Sequence, residues 1–425
     1  MRTRTRLAAV VVALACATTA CSSGSSSSEP TKDLEVVSWW TSGSEQQALA
    51  VLMDSYRGAH PDVTVTNAAV AGGGGGNAQV VLAQRLLAGK PPDTWQTFPG
   101  GALSRYVAQG QLADLSPVYA SSGLASNLPE VIADGLAVDG KPYGVPTSAH
   151  RGNMLFYNTA LLAKAGVQAP TGSYTAEAFA ADLDKLDAAG VVPLCLGAKD
   201  AFTTPALFEN TLLGVIGTDG WTRIAQDRFD WQGAQTREAL ERFGHELDRA
   251  DPQAAAMSWD EATRKLASGG CAFETLNDSA FGELQKAGAV DGKDFGEVPY
   301  PGTGSSYVAV VDTFVTARQA PDAANATAFL TQIATPETQL AFSRAKGSVP
   351  IRTDVDVASL TPYQQSAAKA LRTDTVLWSI VHGEATGPQL QQGFYDAVAT
   401  YVRTRDADAF SSTLTDAVRQ QVPSK

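Results

Sequence analysis

The stretch Leu34-Glu35-Val36-Val37-Ser38-Trp39-Trp40 reads as a strand that ends on two aromatic side chains. A helical pattern follows from Glu45 to Tyr56, Gly58 and Pro61 stop it, and Val63 to Val65 begins a second strand. That order is a β-α-β unit, the building block of a parallel sheet. The pattern then continues. Gly72 to Gly76 forms a loop, Asn77 is expected to cap a helix whose apolar face carries Val80, Val81, Leu82, Leu86 and Leu87, and Pro91 to Phe98 supplies another short strand. In such α/β sheets, ligands sit beyond the carboxyl ends of the strands. The glycine loop is not a phosphate cradle, because no Lys-Ser/Thr follows it and Asn77 stands where a dinucleotide fingerprint needs glycine.

Further along, Val138 to Pro146 is a hairpin built on Asp139-Gly140, Gly152 to Tyr157 reads as a strand, and Asn158 as a helix cap. Helical spacing covers 176–188, 205–216, 234–250 and 258–267, with strand-like runs at 191–196, 271–276 and 307–316. Helices are expected again at 322–333, 336–345, 362–372, 388–403 and 406–420. The chain of 425 residues is long enough for two or three domains. Its 44 acids against 32 bases argue against a phosphate backbone as partner, so nucleic acid is not an expected ligand. With four cysteines and four histidines, a metal site would have to be built almost wholly of carboxylates, and neither metal nor cofactor is expected.

Arg2, Arg4 and Arg6 precede an apolar run from Leu7 to Ala15, which reads as a secretory signal over residues 1–20. Thr18-Thr19-Ala20-Cys21 and the Ser/Gly run after it resemble a bacterial lipobox, which implies cleavage before Cys21, lipidation of its thiol and a tether over 21–33. Loss of residues 1–20 removes three arginines and no acid, deepening the net charge from −12 to −15. Cys195 and Cys271 are then the thiols left in an oxidising compartment; they either pair or are two small buried hydrophobes.

Four passages, taken in order, resemble the family 1 extracellular solute-binding proteins of bacterial ABC sugar transporters, most nearly the glucose/mannose-binding lipoproteins. They are Ser38-Trp39-Trp40; Asn77 through Pro91-Pro92-Asp93-Thr94; His150-Arg151-Gly152-Asn153 with Tyr157-Asn158; and Lys346-Gly347-Ser348 with Arg352 and Asp354. The resemblance runs from about 34 to 420. It implies a two-lobed α/β fold of the periplasmic-binding-protein type, with lobes discontinuous in sequence and joined by a hinge. Lobe 1 would hold 34–146 and 308–346, lobe 2 would hold 147–307 and 347–425, and the chain would cross near 145–150, 305–312 and 345–355. It also implies a monomer anchored by Cys21 on the outer face of the cell membrane, handing a monosaccharide to ABC permease subunits.

A hexose offers hydroxyls that donate and accept, and faces of C–H groups, so its pocket wants aromatic platforms, carboxylates, amides and a few cations. Trp39 and Trp40 are adjacent at a strand end, where neighbouring side chains point to opposite faces. By resemblance the sugar contacts are Trp39, Trp40, Glu45, Gln96, Trp259, Asp278, Lys346 and His382, while His150, Arg151 and Asn153 support the hinge or stand just behind those contacts. Phe98 departs from the family's polar ring, and Asn277-Asp278-Ser279 departs from its Gly-Asp-Trp. These departures keep a di- or oligosaccharide as an alternative ligand. A glycoside hydrolase is the remote alternative, because two carboxylates in an aromatic cleft also describe one. No catalytic residue is assigned.

Overall fold

The computed structural model describes residues 32–421. The expected signal sequence and the expected lipidation site, Cys21, lie outside them. Twelve strands occur in the order β1 Asp33–Val37, β2 Thr64–Asn67, β3 Thr94–Thr97, β4 Ala137–Val138, β5 Lys141–Pro142, β6 Val145–Arg151, β7 Met154–Asn158, β8 Leu194–Cys195, β9 Phe273–Leu276, β10 Phe295–Pro299, β11 Ser306–Thr316 and β12 Thr375–Trp378. In the first sheet β1 lies parallel to β2 on one side and to β3 on the other. The helix Gly43–Ala59 supplies the crossover between β1 and β2. The second sheet has the order β10-β7-β9-β8.

The long strand β11 connects the two halves of this two-lobed fold. Near its start Ala309 pairs with Arg151 of β6 on one side and Trp378 of β12 on the other; near its end Thr313 pairs with Pro146 of β6 and Thr97 of β3. Val349 completes the crossing by exchanging both backbone hydrogen bonds with Ala149 at 3.0 Å. The apolar cores separate accordingly. One draws on Leu34 to Val145 and Val310 to Phe342, and includes Trp39 and Trp40. The largest draws mainly on Ala149 to Val311 and Val349 to Ala417, and includes Trp221, Trp231 and Trp259. In that second body Cys195 and Cys271 are joined by a disulfide between buried residues with Cα atoms 5.6 Å apart, a normal bridging span.

The Asp139-Gly140 turn has positive φ at both residues (51° and 74°), as a tight two-residue hairpin requires. Asn158 caps its helix by accepting from the Leu161 N–H at 3.0 Å. Elsewhere the helix after the glycine loop corrects the expectation. It starts at Gly76 with Gly75 in the left-handed region, so Asn77 lies inside it and donates its amide to the Ala71 carbonyl at 2.9 Å. Its buried face is Ala78 and Leu82, with Leu86 against the core, a four-residue spacing. Val80 and Leu87 therefore point outward, at 59% and 87% exposure. The helix expected at 205–216 extends over Thr203–Ala225, with a break at Gly217 where φ is 60°.

Candidate sugar-binding site

The cavity between the two bodies lies where the fold class places ligands, just past the carboxyl ends of β1 and β3. Trp39 and Phe98 line it from those ends, Glu45 from the first turn of Gly43–Ala59, and His150, Val310 and Asp312 from the paired strands β6 and β11. Leu276, Asn277 and Ser279 approach from the end of β9, Trp259 from a helix N-terminus, Lys346 from a helix C-terminus, and Phe202 and His382 from loops. The cavity volume is about 30 Å³, well below the roughly 300–1,000 Å³ of small-molecule sites.

Local chemistry explains why these side chains are where they are. Trp259 is the first residue of Trp259–Ala267, a helix opened by a capping box in which Ser258 and Glu261 satisfy each other's backbone N–H groups. The Asp200 carboxylate then ties this helix to the glycine loop: it accepts from the Trp259 N–H at 2.9 Å and the Gly73 N–H at 3.1 Å. Glycine is required there. A Cβ on Gly73 would stand 2.8–2.9 Å from Asp200, Phe202 and Trp259, and one on Gly75 would stand 2.7 Å from the Trp39 ring. The loop's glycines let backbone lie directly against aromatic rings.

The charged groups form opposed pairs. Lys346, almost wholly buried, donates to Glu45 at 2.7 Å and to Ser279 at 3.0 Å. Burial raises the pKa of Glu45, with Lys346 pulling against that rise. His150 bridges two carboxylates, Nδ1 to Asp278 and Nε2 to Asp312, the latter at 3.0 Å. Burial and Lys346 oppose its protonation, yet Asp278 and Asp312 hold its pKa above the ordinary value. Asp312 in turn sits below the usual carboxylate range: burial works to raise it, but the His150 bond, Lys346 and the Gln96 amide outweigh that. Burial drives His382 the other way, down to about 3, so its ring is neutral at ordinary pH.

Five of the eight expected sugar contacts line the cavity: Trp39, Glu45, Trp259, Lys346 and His382. Trp40, Gln96 and Asp278 stand one layer behind, and each holds a residue that does line it. Trp40 packs between Phe314 and Phe342 with its ring 5.3 Å beneath the Lys346 ammonium. Gln96 donates to Asp312 at 3.0 Å. Asp278 grips His150 while accepting from the Arg151 N–H at 3.2 Å and the Tyr363 hydroxyl at 3.1 Å. His150, expected as a hinge residue, reaches the cavity wall itself. Arg151 and Asn153 stay at the strand crossing, where Arg151 donates to the Ser306 carbonyl at 2.8 Å and to Asp374 at 3.2 Å, and Asn153 binds Thr303, Ser306 and the Val308 N–H.

Asp312 and Phe202 were not anticipated. An aspartate inside Val308-Ala309-Val310-Val311-Asp312-Thr313-Phe314-Val315 was the available signal, since a buried carboxylate in an apolar strand needs partners. Phe202 carried no comparable signal in its sequence neighbourhood. Among the described residues no group of side chains is placed to hold a metal ion, and no helix is long and apolar enough to cross a membrane.

Comparison with known proteins converges on one class. The family described as bacterial extracellular solute-binding protein matches residues 40–340. A probable sugar-binding periplasmic protein of Rhizobium meliloti is 30% identical over 380 residues, 88% of this chain and 90% of that one. Two solved structures share the fold at a TM-score of 0.79: a bacterial solute receptor with exclusive preference for β-D-galactopyranose, 18% identical, and a chitin oligosaccharide binding protein, 20% identical. Each alignment covers 91% of this chain and 98% of the other.

Proposed function

Because this chain belongs to the bacterial extracellular solute-binding proteins of ABC sugar transporters, we propose that it captures a single sugar ring in the cavity between its lobes and delivers it to a membrane permease. The observation that carries this reading is the lining of the cavity: walls of Trp39, Trp259, Phe98 and Phe202, set with Glu45, Asp312 and Lys346. Aromatic faces suit the C–H faces of a pyranose, carboxylates accept from its hydroxyls, and the ammonium donates to them. A micromolar complex needs about −8 kcal/mol, within reach of a few stacked and charge-assisted contacts after ordering costs.

In this reading Trp39, Glu45, Trp259, Lys346 and His382 touch the sugar; Trp40 lies beneath Lys346, Gln96 and His150 hold Asp312, and Asp278 holds His150; and Arg151 and Asn153 brace the crossing. Lobe 1 is 34–146 with 308–346, and lobe 2 is 147–307 with 347–425. The separate apolar cores and the crossings at β6, β11 and Val349 support that division. The protein acts as a monomer, without cofactor and without turnover, held at the outer face of the membrane by lipid on Cys21. The galactopyranose preference of one relative in fold and the glucose/mannose-type passages of the sequence favour a hexose. Calorimetry with glucose, mannose, galactose, xylose, maltose and chitobiose tests this. Binding confined to monosaccharides is expected, and binding only to the disaccharides would refute it. Continued fatty-acid labelling of a Cys21→Ser chain would remove the anchor.

A further inference from the structure

Glu209 is a buried carboxylate on the helix Thr203–Ala225, outside the cavity lining and, among the described residues, without a cationic partner. Its oxygens meet the loop that carries His382. Oε1 accepts from the Ile380 N–H at 2.6 Å and the Val381 N–H at 3.1 Å, and both oxygens stand 3.1 Å from the Ser379 hydroxyl. That hydroxyl is 2.8 Å from Nδ1 of His382 and also accepts from the His382 N–H at 3.2 Å. The ring lines the cavity, and its other nitrogen, Nε2, has no hydrogen-bond partner among the described residues.

A neutral imidazole carries one N–H, and a serine hydroxyl donates one proton. When Glu209 is ionised, it can only accept, so the Ser379 proton points to it. Nδ1 must then be the nitrogen that donates to Ser379, because two lone pairs would otherwise face each other at hydrogen-bond distance. Nε2 is bare and accepts. When Glu209 is protonated, its O–H donates to Ser379, the hydroxyl turns its proton to Nδ1, and the ring N–H moves to Nε2, which now donates. No net proton enters the ring in this exchange; one proton binds at Glu209.

We propose that Glu209, acting through Ser379, sets the tautomer of His382 and so decides whether the sugar cavity meets a hydrogen-bond acceptor or donor at Nε2. Glu209 is thus a positioning residue for the sugar site, and its effect on affinity rests on the sugar-binding reading above. Burial pushes its carboxyl up to about 7, with the Ser379 hydroxyl and the two backbone N–H groups pulling down, which places the exchange within an ordinary pH range. Groups packed around the relay are Glu384, whose own pKa Glu209 helps to raise, and Tyr395, which donates to the Val381 carbonyl at 3.1 Å. His382 itself feels Asp312, His150 and Lys346.

The test is the ¹⁵N spectrum of the His382 ring in the whole protein, assigned with His382→Gln. Wild type at pH 8.5 should show protonated Nδ1, passing to protonated Nε2 by pH 5.5 with a midpoint near 7. Glu209→Gln presents an amide N–H to Ser379 and should show protonated Nε2 throughout, with sugar affinity altered at least about tenfold and its pH dependence through 7 lost. A single tautomer across the wild-type titration overturns the proposal even where the variant fails to fold, as does a folded variant with the wild-type tautomer. The ring spectrum is read without sugar, so a cavity that binds no sugar would refute the function and leave this result standing.

Discussion

Replacing His150 with glutamine removes the cation that Asp278 and Asp312 share at the crossing of β6 and β11. Both carboxylates are buried, at 0% and 3% exposure, and breaking a buried pair costs about 3–5 kcal/mol because a charge stays behind without its counter-ion. Each carboxylate keeps another donor: Asp278 the Tyr363 hydroxyl and the Arg151 N–H, Asp312 the Gln96 amide. The lower end, about 3 kcal/mol, is therefore expected. Urea unfolding of both proteins at pH 6 measures it. The folded-state pKa of His150 lies above its unfolded value of 6.5, so the bridge's stabilisation is complete below pH 6.5 and is lost as pH climbs through the folded value. An NMR titration of the ring should accordingly show it charged past pH 6.5. A loss under about 1 kcal/mol, or a ring that titrates below its ordinary value, would refute the argument.

Three more expectations follow from the same geometry. Trp259→Ala and Lys346→Met should each weaken monosaccharide binding by at least about tenfold, the worth of one stacked or charge-assisted contact, with the fold retained by circular dichroism; undiminished binding in both would move the site. Phe98 meets the His382 ring edge-on and Phe202 meets it at a tilt, with centroids 5.0 and 6.0 Å apart, and the same three residues wall a second cavity of about 270 Å³. Phe98→Ala should join the two spaces and admit disaccharides that wild type refuses, as calorimetry would show; an unchanged ligand range would count against the partition. Cysteines 195 and 271 close a span of 76 residues, so reducing their bond should cost about 4.5 kcal/mol on the chain-entropy relation, read as a fall in the urea midpoint under reductant.

The parallel opening unit was legible because strand, helix and strand each carried its own periodicity, but its bounds shift: β1 ends at Val37, before the two tryptophans, and the helix runs through Gly58 to Ala59. Several short helices escaped notice. Gly101–Ala108 and Ser279–Lys286 are eight residues each, too brief for a 3.6-residue period to stand out from chance. The outward face of Gly76–Leu87 shows the converse error: Val80, Val81 and Leu87 are apolar, but Ala78, Leu82 and Leu86 share the four-residue row that meets the sheet.

At the site, the sequence located the neighbourhood better than the contact atoms. Trp39 and Trp40 are equivalent as letters; in the segment that follows β1, one lines the cavity and the other lies under Lys346. Asp278 and Asp312 divide similarly: His150 lies between them, one carboxylate on the wall and the other behind it. Such layering depends on contacts across 128 and 162 residues of chain, which no local spacing encodes.

The most direct measurement is a crystal structure of the protein grown with the monosaccharide that calorimetry selects. One pyranose ring lying between Trp39 and Trp259, its hydroxyls within hydrogen-bond distance of Glu45 and Lys346, is the predicted result. A sugar of two or more rings spanning past Phe98 and His382, or one seated away from these four side chains, would contradict it.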